Sequence, residues 1–136
     1  MLEEAQVREI ILSIYQARKL GNKDDVARYW APGATFRLAG DHDQLGSFPG
    51  GPVEAQAAIA ALIDRFTFHE MTSLSMLIDG NRVAAHWKVL LSAANLEPFE
   101  TEIADFWRLD DQGRITELVE FADTASIARL AARGIV

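Results

Sequence analysis

Asp105 is the side chain whose surroundings in this sequence point most directly to chemistry. Period-two alternation places four residues on one face of a predicted strand: Ile103, Asp105, Trp107 and Leu109. That face is apolar apart from the carboxyl, so it is predicted to line a pocket, where loss of hydration raises the pKa of a carboxyl. A protonated Asp105 could donate a hydrogen bond to a carbonyl or to a developing oxyanion. The alternative is a structural carboxylate that pairs with an arginine or a tyrosine.

Tyr15 and Glu120 are the candidates for partners of Asp105. Tyr15 lies at the edge of the apolar stripe of a predicted helix, so its hydroxyl points either into the cavity or into water. In the last predicted strand, alternation groups Thr116, Leu118, Glu120 and Ala122 on one face. If this face is inward, Glu120 approaches Asp105, and two carboxyls that share a site have their pKa values pushed apart, which suits acid–base chemistry. If Glu120 faces solvent, no such pair forms.

The histidines are the remaining candidates for proton transfer near neutral pH. His86 alternates with Lys88, opposite the apolar set Val83, Ala85, Trp87 and Val89. This predicts that His86 lies on the outer face of the sheet, where a second subunit would pack. His69 stands in a stretch whose strand phase is ambiguous, and a position at the pocket rim is the functional interpretation. No two histidines have the spacing of metal ligands, so no metal site is expected.

Four aromatic residues are predicted to form the pocket wall: Trp30, Phe36, Trp87 and Trp107. Such a lining suits a flat ring or an isoprenoid-like ligand, although aromatic residues at this spacing also form ordinary cores. The sequence has no phosphate-binding loop, no dinucleotide fingerprint and no Ser/His/Asp nucleophile arrangement. A ligand that is small and apolar, with no cofactor, is therefore the expectation.

The elements that must position these side chains are readable from periodicity. Helices are predicted at residues 2–20, 24–30, 52–65 and 124–133, and strands at 34–39, 67–78, 82–94, 99–109 and 114–122, with a Gly/Pro-rich loop at 40–52. Helices gathered on one face of an antiparallel sheet define the α+β class. Long strands twist and curl, so the predicted sheet encloses a cone-shaped cavity.

Composition narrows the function further. The chain has 136 residues, 49% of them hydrophobic, which fits a single globular domain over 1–136. A formal net charge of −7 with Lys and Arg scattered singly argues against nucleic-acid binding. The absence of cysteine excludes disulfides and thiolate catalysis, and a reducing cytoplasm is the expected location. No apolar run is long enough to cross a bilayer, so no membrane association is expected.

Three stretches carry a resemblance to a known family. They are Leu20-Gly21-Asn22-Lys23-Asp24-Asp25-Val26 through Tyr29-Trp30-Ala31-Pro32-Gly33-Ala34-Thr35-Phe36; Val53-Glu54-Ala55; and Asp105-Phe106-Trp107-Arg108-Leu109 with Gly113-Arg114-Ile115-Thr116-Glu117 and Phe121-Ala122-Asp123. In this order the stretches resemble the SnoaL-like branch of the cystatin-like α+β cone superfamily, which includes nuclear transport factor 2 and ketosteroid isomerase. The resemblance implies a curved sheet packed against N-terminal helices around a pocket, and a homodimer through the outer sheet face.

The resemblance also implies roles for residues. The isomerases have an acidic residue at the place of Asp105 and an oxyanion-hole tyrosine near that of Tyr15, but the position of their general base is Leu38 here. Nearby residues that could substitute are Asp41, His42 and Asp43. Epoxide hydrolases of the superfamily use two inward aspartates held by an arginine, and no arginine of this chain is predicted to point inward.

The candidate residues and the family resemblance together lead to two hypotheses for the function. One is a cofactor-independent isomerase, cyclase or hydrolase that acts on a small apolar carbonyl or epoxide compound. The other is a ligand-binding or accessory protein without catalysis on the same fold. A role confined to protein–protein interaction, like that of the transport factor, is a third possibility.

Overall fold

The computed structural model describes residues 2–48 and 51–136, in which four helices cover one face of a curved, six-stranded sheet. The helices are α1 (Glu4–Leu20), α2 (Lys23–Ala27), α3 (Ala55–Arg65) and α4 (Thr124–Ala132). The strands are β1 (Trp30–Leu38), β2 (Val53–Glu54), β3 (Phe66–Asp79), β4 (Arg82–Ala93), β5 (Phe99–Leu109) and β6 (Ile115–Phe121). The predicted α+β class is confirmed.

Helix ends follow local capping chemistry. The α1 helix ends at Gly21, whose φ of +69° is favourable only for glycine, and the N–H of Asn22 donates to the Ala17 carbonyl across this end. The Glu54 carboxylate accepts hydrogen bonds from the first backbone N–H groups of α3, and the Asp123 carboxylate does the same for α4. Residues that terminate helices therefore fix where the adjoining strands begin.

The prediction for the region after α1 was partly wrong. The second helix ends at Ala27, and Trp30 belongs to β1 instead of to that helix. Trp30 pairs with Ile115 of β6, and the pairing shifts register before Thr35, so β1 is longer than the predicted strand 34–39 and irregular. Tertiary pairing has overridden the local Pro-Gly signal.

The segment between β1 and α3 also differs from prediction. Val53 and Glu54 form the short strand β2, antiparallel to β1, where a helix was predicted to start. The predicted loop 40–52 contains turns and packs inward through Leu45 and Phe48, whereas Pro49 and Gly50 of that loop lie outside the described residues.

The sheet has the order β2-β1-β6-β5-β4-β3. Strands β3 to β6 form the predicted antiparallel meander, but β1 joins β6 in parallel, so the sheet is mixed and not purely antiparallel. This pairing aligns three residues in a row across the sheet: Leu38, Glu120 and Asp105. The row is the structural basis of the site.

The core lies between the helices and the inner face of the sheet. Its most deeply buried side chains come from α1 and from alternate positions of the strands, among them Val7, Ile11, Val89 and Ile115. Edge strand β3 is mostly exposed. None of the helices described here combines the length and the apolar composition needed to cross a membrane.

Candidate functional site

An apolar cavity lies between the helices and the inner sheet face, and its volume is about 100 Å³. Its walls include Ile14, Val26, Ile59, Leu62, Leu91, Phe99, Ile103, Leu118, Ile127 and Leu130. Polar and ionisable side chains enter this lining at few places, chiefly Tyr15, Arg18, Asp105 and Glu120. Apolar walls with a few convergent polar groups are typical of small-molecule sites.

Tyr15 and Asp105 are in direct contact. The Tyr15 hydroxyl donates to Oδ2 of Asp105 at 2.5 Å, and the indole N–H of Trp107 donates to the Tyr15 oxygen at 3.0 Å. Tyr15 is 4% exposed and Asp105 is 2% exposed, so neither group is hydrated. Burial, with the negative charge of Asp105, raises the pKa of the Tyr15 hydroxyl well above its ordinary value, so the phenol stays protonated.

Glu120 is the direct cross-strand partner of Asp105 and lines the same cavity. Burial first, and then the charge of Glu120 and a hydrogen bond to it, raise the pKa of Asp105 well above its ordinary value. No donor among the described residues reaches Oδ1 of Asp105. The raised pKa favours the protonated form of Asp105, so the pair can hold one proton next to apolar space.

Arg18 also lines the cavity, which overturns the expectation that no arginine points inward. Its Nη2 donates to the carbonyls of Leu62 at 3.3 Å and Phe66 at 2.9 Å, and its guanidinium carbon lies 3.8 Å from the ring centroid of Phe68. Desolvation lowers the pKa of Arg18 to about 10, while the charge of Glu120 opposes this shift. Arg18 therefore remains a cation at neutral pH.

The structure places the predicted pocket aromatics in two groups. Trp30 and Trp107 line the cavity and stack on each other with ring centroids 6.0 Å apart, and Leu38 lines it beside them. Trp87 is buried but packs behind Tyr15, with ring centroids 4.5 Å apart. Phe36 is buried outside the cavity, beneath α3. Sequence reasoning assigned all four aromatics to one wall because alternation identifies the face of a strand but not the position along it.

His69 does not lie at the pocket. A register shift between Phe68 and Glu70 reverses the alternation there. His69 is exposed, with Nε2 2.8 Å from the Ser92 hydroxyl. His86 lies on the outer face, as its alternation predicts, with Nε2 2.6 Å from a Glu102 carboxylate oxygen. The corrected position of His69 leaves the carboxyls as the proton-transfer groups of the cavity.

The loop residues named as possible bases also lie away from the cavity. Asp41 and Asp43 are exposed, and His42 is half-buried without contributing to the cavity lining. Over residues 2–48 and 51–136, no three side chains of the His, Asp and Glu types come together as metal ligands would.

One donor in the cavity was not predicted. The indole N–H of Trp30 is buried and has no acceptor among the described residues, although Trp30 lines the cavity. A buried polar group without a partner is unfavourable, but this nitrogen is fully buried, so a ligand oxygen would reach it only after the ring moved.

A family model for the SnoaL-like domain matches residues 11–118. The chain belongs to the SnoaL-like family. Its fold is the nuclear transport factor 2-like cone that this family shares. No curated protein matches the sequence.

Solved structures of the same fold cover nearly the whole chain at low sequence identity. An epoxide hydrolase from M. tuberculosis, described as LEH-like, is 17% identical, with a TM-score of 0.69 over 96% of this chain and 92% of that one. A nuclear transport factor 2-like protein from Burkholderia pseudomallei is 16% identical, with a TM-score of 0.73 over 93% and 97%. TerC, co-crystallised with polyporic acid, is 15% identical, with a TM-score of 0.74 over 93% and 98%. At these identities the likeness establishes the fold alone.

Proposed function

We propose that this SnoaL-like protein is an enzyme that acts by acid–base catalysis on a small, largely apolar carbonyl or epoxide compound, without a cofactor. The observation that carries the proposal is the adjacent pair of Asp105 and Glu120 in an apolar cavity, because burial and the pairing raise the pKa of Asp105 well above its ordinary value and so favour its protonated form. A protonated acid beside a carboxylate is the arrangement that general acid–base catalysis needs.

The roles of the two carboxyls differ. Asp105 acts as the acid, because it holds the proton and is bonded to the Tyr15 hydroxyl, which fixes its orientation. Glu120 acts as the base. With a β,γ-unsaturated carbonyl substrate, Glu120 takes a proton from the carbon next to the carbonyl while Asp105 protonates the oxygen. The resulting dienol is then protonated at its γ-carbon by Glu120 and returns its hydroxyl proton to Asp105, so that the double bond moves from the β,γ to the α,β position.

With an epoxide the same groups serve hydrolysis. Glu120 takes a proton from a water molecule as its oxygen bonds to a ring carbon, and Asp105 protonates the oxygen released from that carbon. The proton gained by Glu120 then returns directly to Asp105, which restores the starting state. A solved structure of the same fold is described as an epoxide hydrolase, which supports including this substrate class.

Glu120 is proposed to replace the general base that is missing at Leu38. Leu38 occupies the place of the general base in the isomerases that the sequence resembles, and it is the direct cross-strand neighbour of Glu120. A carboxylate one strand away faces the same cavity. The base is therefore proposed to have moved from β1 to β6, which changes the position on a substrate from which a proton is removed.

The test is a turnover assay on small cyclic epoxides and on β,γ-unsaturated ketones, with products followed by gas chromatography and mass spectrometry. Asp105→Asn and Glu120→Gln are each expected to lower kcat by about 10²-fold or more, which is a typical contribution of general acid–base catalysis. The matched control is Glu102→Gln, on the outer face of β5, which should retain the parent rate. Equal rates in parent and both cavity variants would refute the mechanism.

A second candidate function is ligand binding without catalysis. It is favoured by the internal pairing of two polar groups, since the Tyr15 hydroxyl and the Trp107 N–H both have protein partners. Native mass spectrometry after exposure to a lipid and polyketide extract separates the candidates. Capture of an unchanged compound, without turnover of either substrate class, would favour this second function.

The outer sheet face supports a proposed homodimer. Phe106 and Phe121 are each 48% exposed there and contact each other edge to face, with ring centroids 5.6 Å apart. Exposed aromatic residues on one face are typical of interfaces. The predicted location, the cytoplasm, also belongs to the proposal and rests on the lack of cysteine.

A further inference from the structure

Arg18 has an arrangement that a purely structural arginine does not need. The last turn of α1 brings its guanidinium to the cavity, where Nη2 uses both of its N–H bonds on the carbonyls of Leu62 and Phe66. The Phe68 ring packs on the face of the same group. These contacts hold the guanidinium in one place, which is a condition for specific recognition.

The other side of the guanidinium has no partner. A guanidinium has five N–H donors, and the three on Nε and Nη1 of Arg18 make no hydrogen bond to any residue that the structure describes. These two nitrogens are not sealed off, since they are absent from the set of fully buried unpaired atoms. Within the described part of the chain, Arg18 also forms no ion pair.

The charges of the lining are divided between its two sides. Glu120 and Asp123 lie where β6 meets α4, whereas Arg18 lies against α3 and β3. The guanidinium is partly buried and has no paired anion, and its free N–H groups are accessible, so a negatively charged ligand group can bind there by charge-assisted hydrogen bonds. A ligand with a negative end at Arg18 and a reactive end at Asp105 and Glu120 fits this division.

We propose that Arg18 is the binding site for a carboxylate of the ligand, so that the substrate is a small apolar acid that also has the reacting carbonyl or epoxide. The identity of the reacting group rests on the proposed function, whereas the binding of the carboxylate does not. One cation matches one negative charge, while a phosphate carries about two and uses several donors. An apolar cavity of roughly 150 Å³ takes a benzene ring, so this one, at about 100 Å³, limits the apolar part to a group smaller than benzene, such as a short branched chain.

The test compares acids with neutral amides of the same shape. Pivalate and isobutyrate, with pivalamide and isobutyramide as controls, are titrated into the protein at neutral pH and constant ionic strength, and Kd is measured by calorimetry or ligand-observed NMR. A charge-assisted hydrogen bond predicts that each acid binds the parent about tenfold tighter than its amide, or more. Equal affinities of acid and amide, or no binding of either, would overturn the proposal.

Variants identify the residue responsible. Arg18→Gln is expected to abolish the preference for the acid while leaving the amide Kd within about threefold, since this variant removes the charge but keeps a polar side chain. Arg18→Lys should retain part of the preference, because the charge remains and the planar group is lost. The amide Kd also reports that each variant is folded. A preference for the acid that survives in Arg18→Gln would refute the assignment.

Glu120→Gln separates this proposal from the catalytic one. The charge of Glu120 acts on Arg18 across the cavity, so removing it should tighten the binding of pivalate and isobutyrate while lowering kcat by about 10²-fold or more. Selective acid binding without turnover by the parent would refute the catalytic proposal alone. Turnover restricted to neutral substrates, with no preference for acids in binding, would refute the carboxylate site alone.

Discussion

Replacing Asp105 by Asn should change how the stability of the protein depends on pH. The raised pKa of Asp105 means that the folded protein holds a proton which the unfolded chain releases above about pH 4. The contribution of Asp105 is therefore fully present below about pH 4 and is lost as pH rises towards the folded-state pKa. Over this window one extra bound proton lowers the free energy of unfolding by about 1.4 kcal/mol per pH unit.

Other carboxyls act in the opposite direction and at lower pH. Hydrogen bonds lower the pKa of Asp110, chiefly from the backbone N–H of Arg114, and lower that of Asp123, chiefly from Ser126. Their contributions are present above about pH 4 and are lost as pH falls. The parent protein should therefore gain stability up to about pH 4, and the Asp105 effect should oppose any further gain above it.

The assay is urea denaturation at pH values from about 3.5 to 8, at constant ionic strength, followed by the fluorescence of the buried tryptophans. The difference between parent and Asp105→Asn isolates the carboxyl, because Asn keeps an acceptor for the Tyr15 hydroxyl. Asp24→Asn, at an exposed position in α2, is the matched control and should follow the parent. Parallel profiles for parent and Asp105→Asn would show that the carboxyl does not hold its proton on folding.

Three further predictions concern the hydrogen bonds of Tyr15, the proposed dimer face and the end of α1. Tyr15→Phe should lower the free energy of unfolding by about 1–3 kcal/mol in chemical denaturation, because it leaves the buried Trp107 N–H and an Asp105 oxygen without a partner; an unchanged midpoint would contradict this hydrogen-bond chain. Phe106→Asp should convert the proposed homodimer to a monomer in analytical ultracentrifugation, and a dimer of undiminished affinity would exclude that face. Gly21→Ala should cost about 1 kcal/mol, measured by thermal denaturation, since its φ is +69°, and a stabilised variant would refute the strain.

The prediction of Asp105 from sequence succeeded in placement because strict alternation over β5 determines which side chains face inward. The same reasoning failed at His69, where a register shift in β3 breaks the alternation. A bulge depends on the partner strand, so the local sequence around Phe68 and Glu70 does not predict it. Parallel pairing of β1 with β6 was missed for a similar reason, since it joins segments from opposite ends of the chain.

Arg18 shows the limit of sequence reasoning most clearly. Helical spacing places Arg18 on the same face of α1 as Val7, Ile11 and Ile14, but a long cationic side chain on such a face usually extends its charged end to water. What keeps the guanidinium inside is a pair of carbonyls, those of Leu62 and Phe66, 44 and 48 positions away in sequence. The sequence pattern does not predict that contact, because its partners are distant in sequence. It does predict the helix caps at Gly21 and Asp123, because a cap depends only on neighbouring residues.

The contact between Tyr15 and Asp105 has a consequence for how the protein is made. The two residues are 90 positions apart, and the strand that brings Glu120 beside them comes later still in the sequence. Contacts of such separation form slowly, because a long loop must close before they contribute. During synthesis, β1 has no parallel partner until β6 has left the ribosome. We therefore expect the pair of Asp105 and Glu120 to be completed only after β6 has been synthesised, so that a chain truncated before β6 would lack this pair.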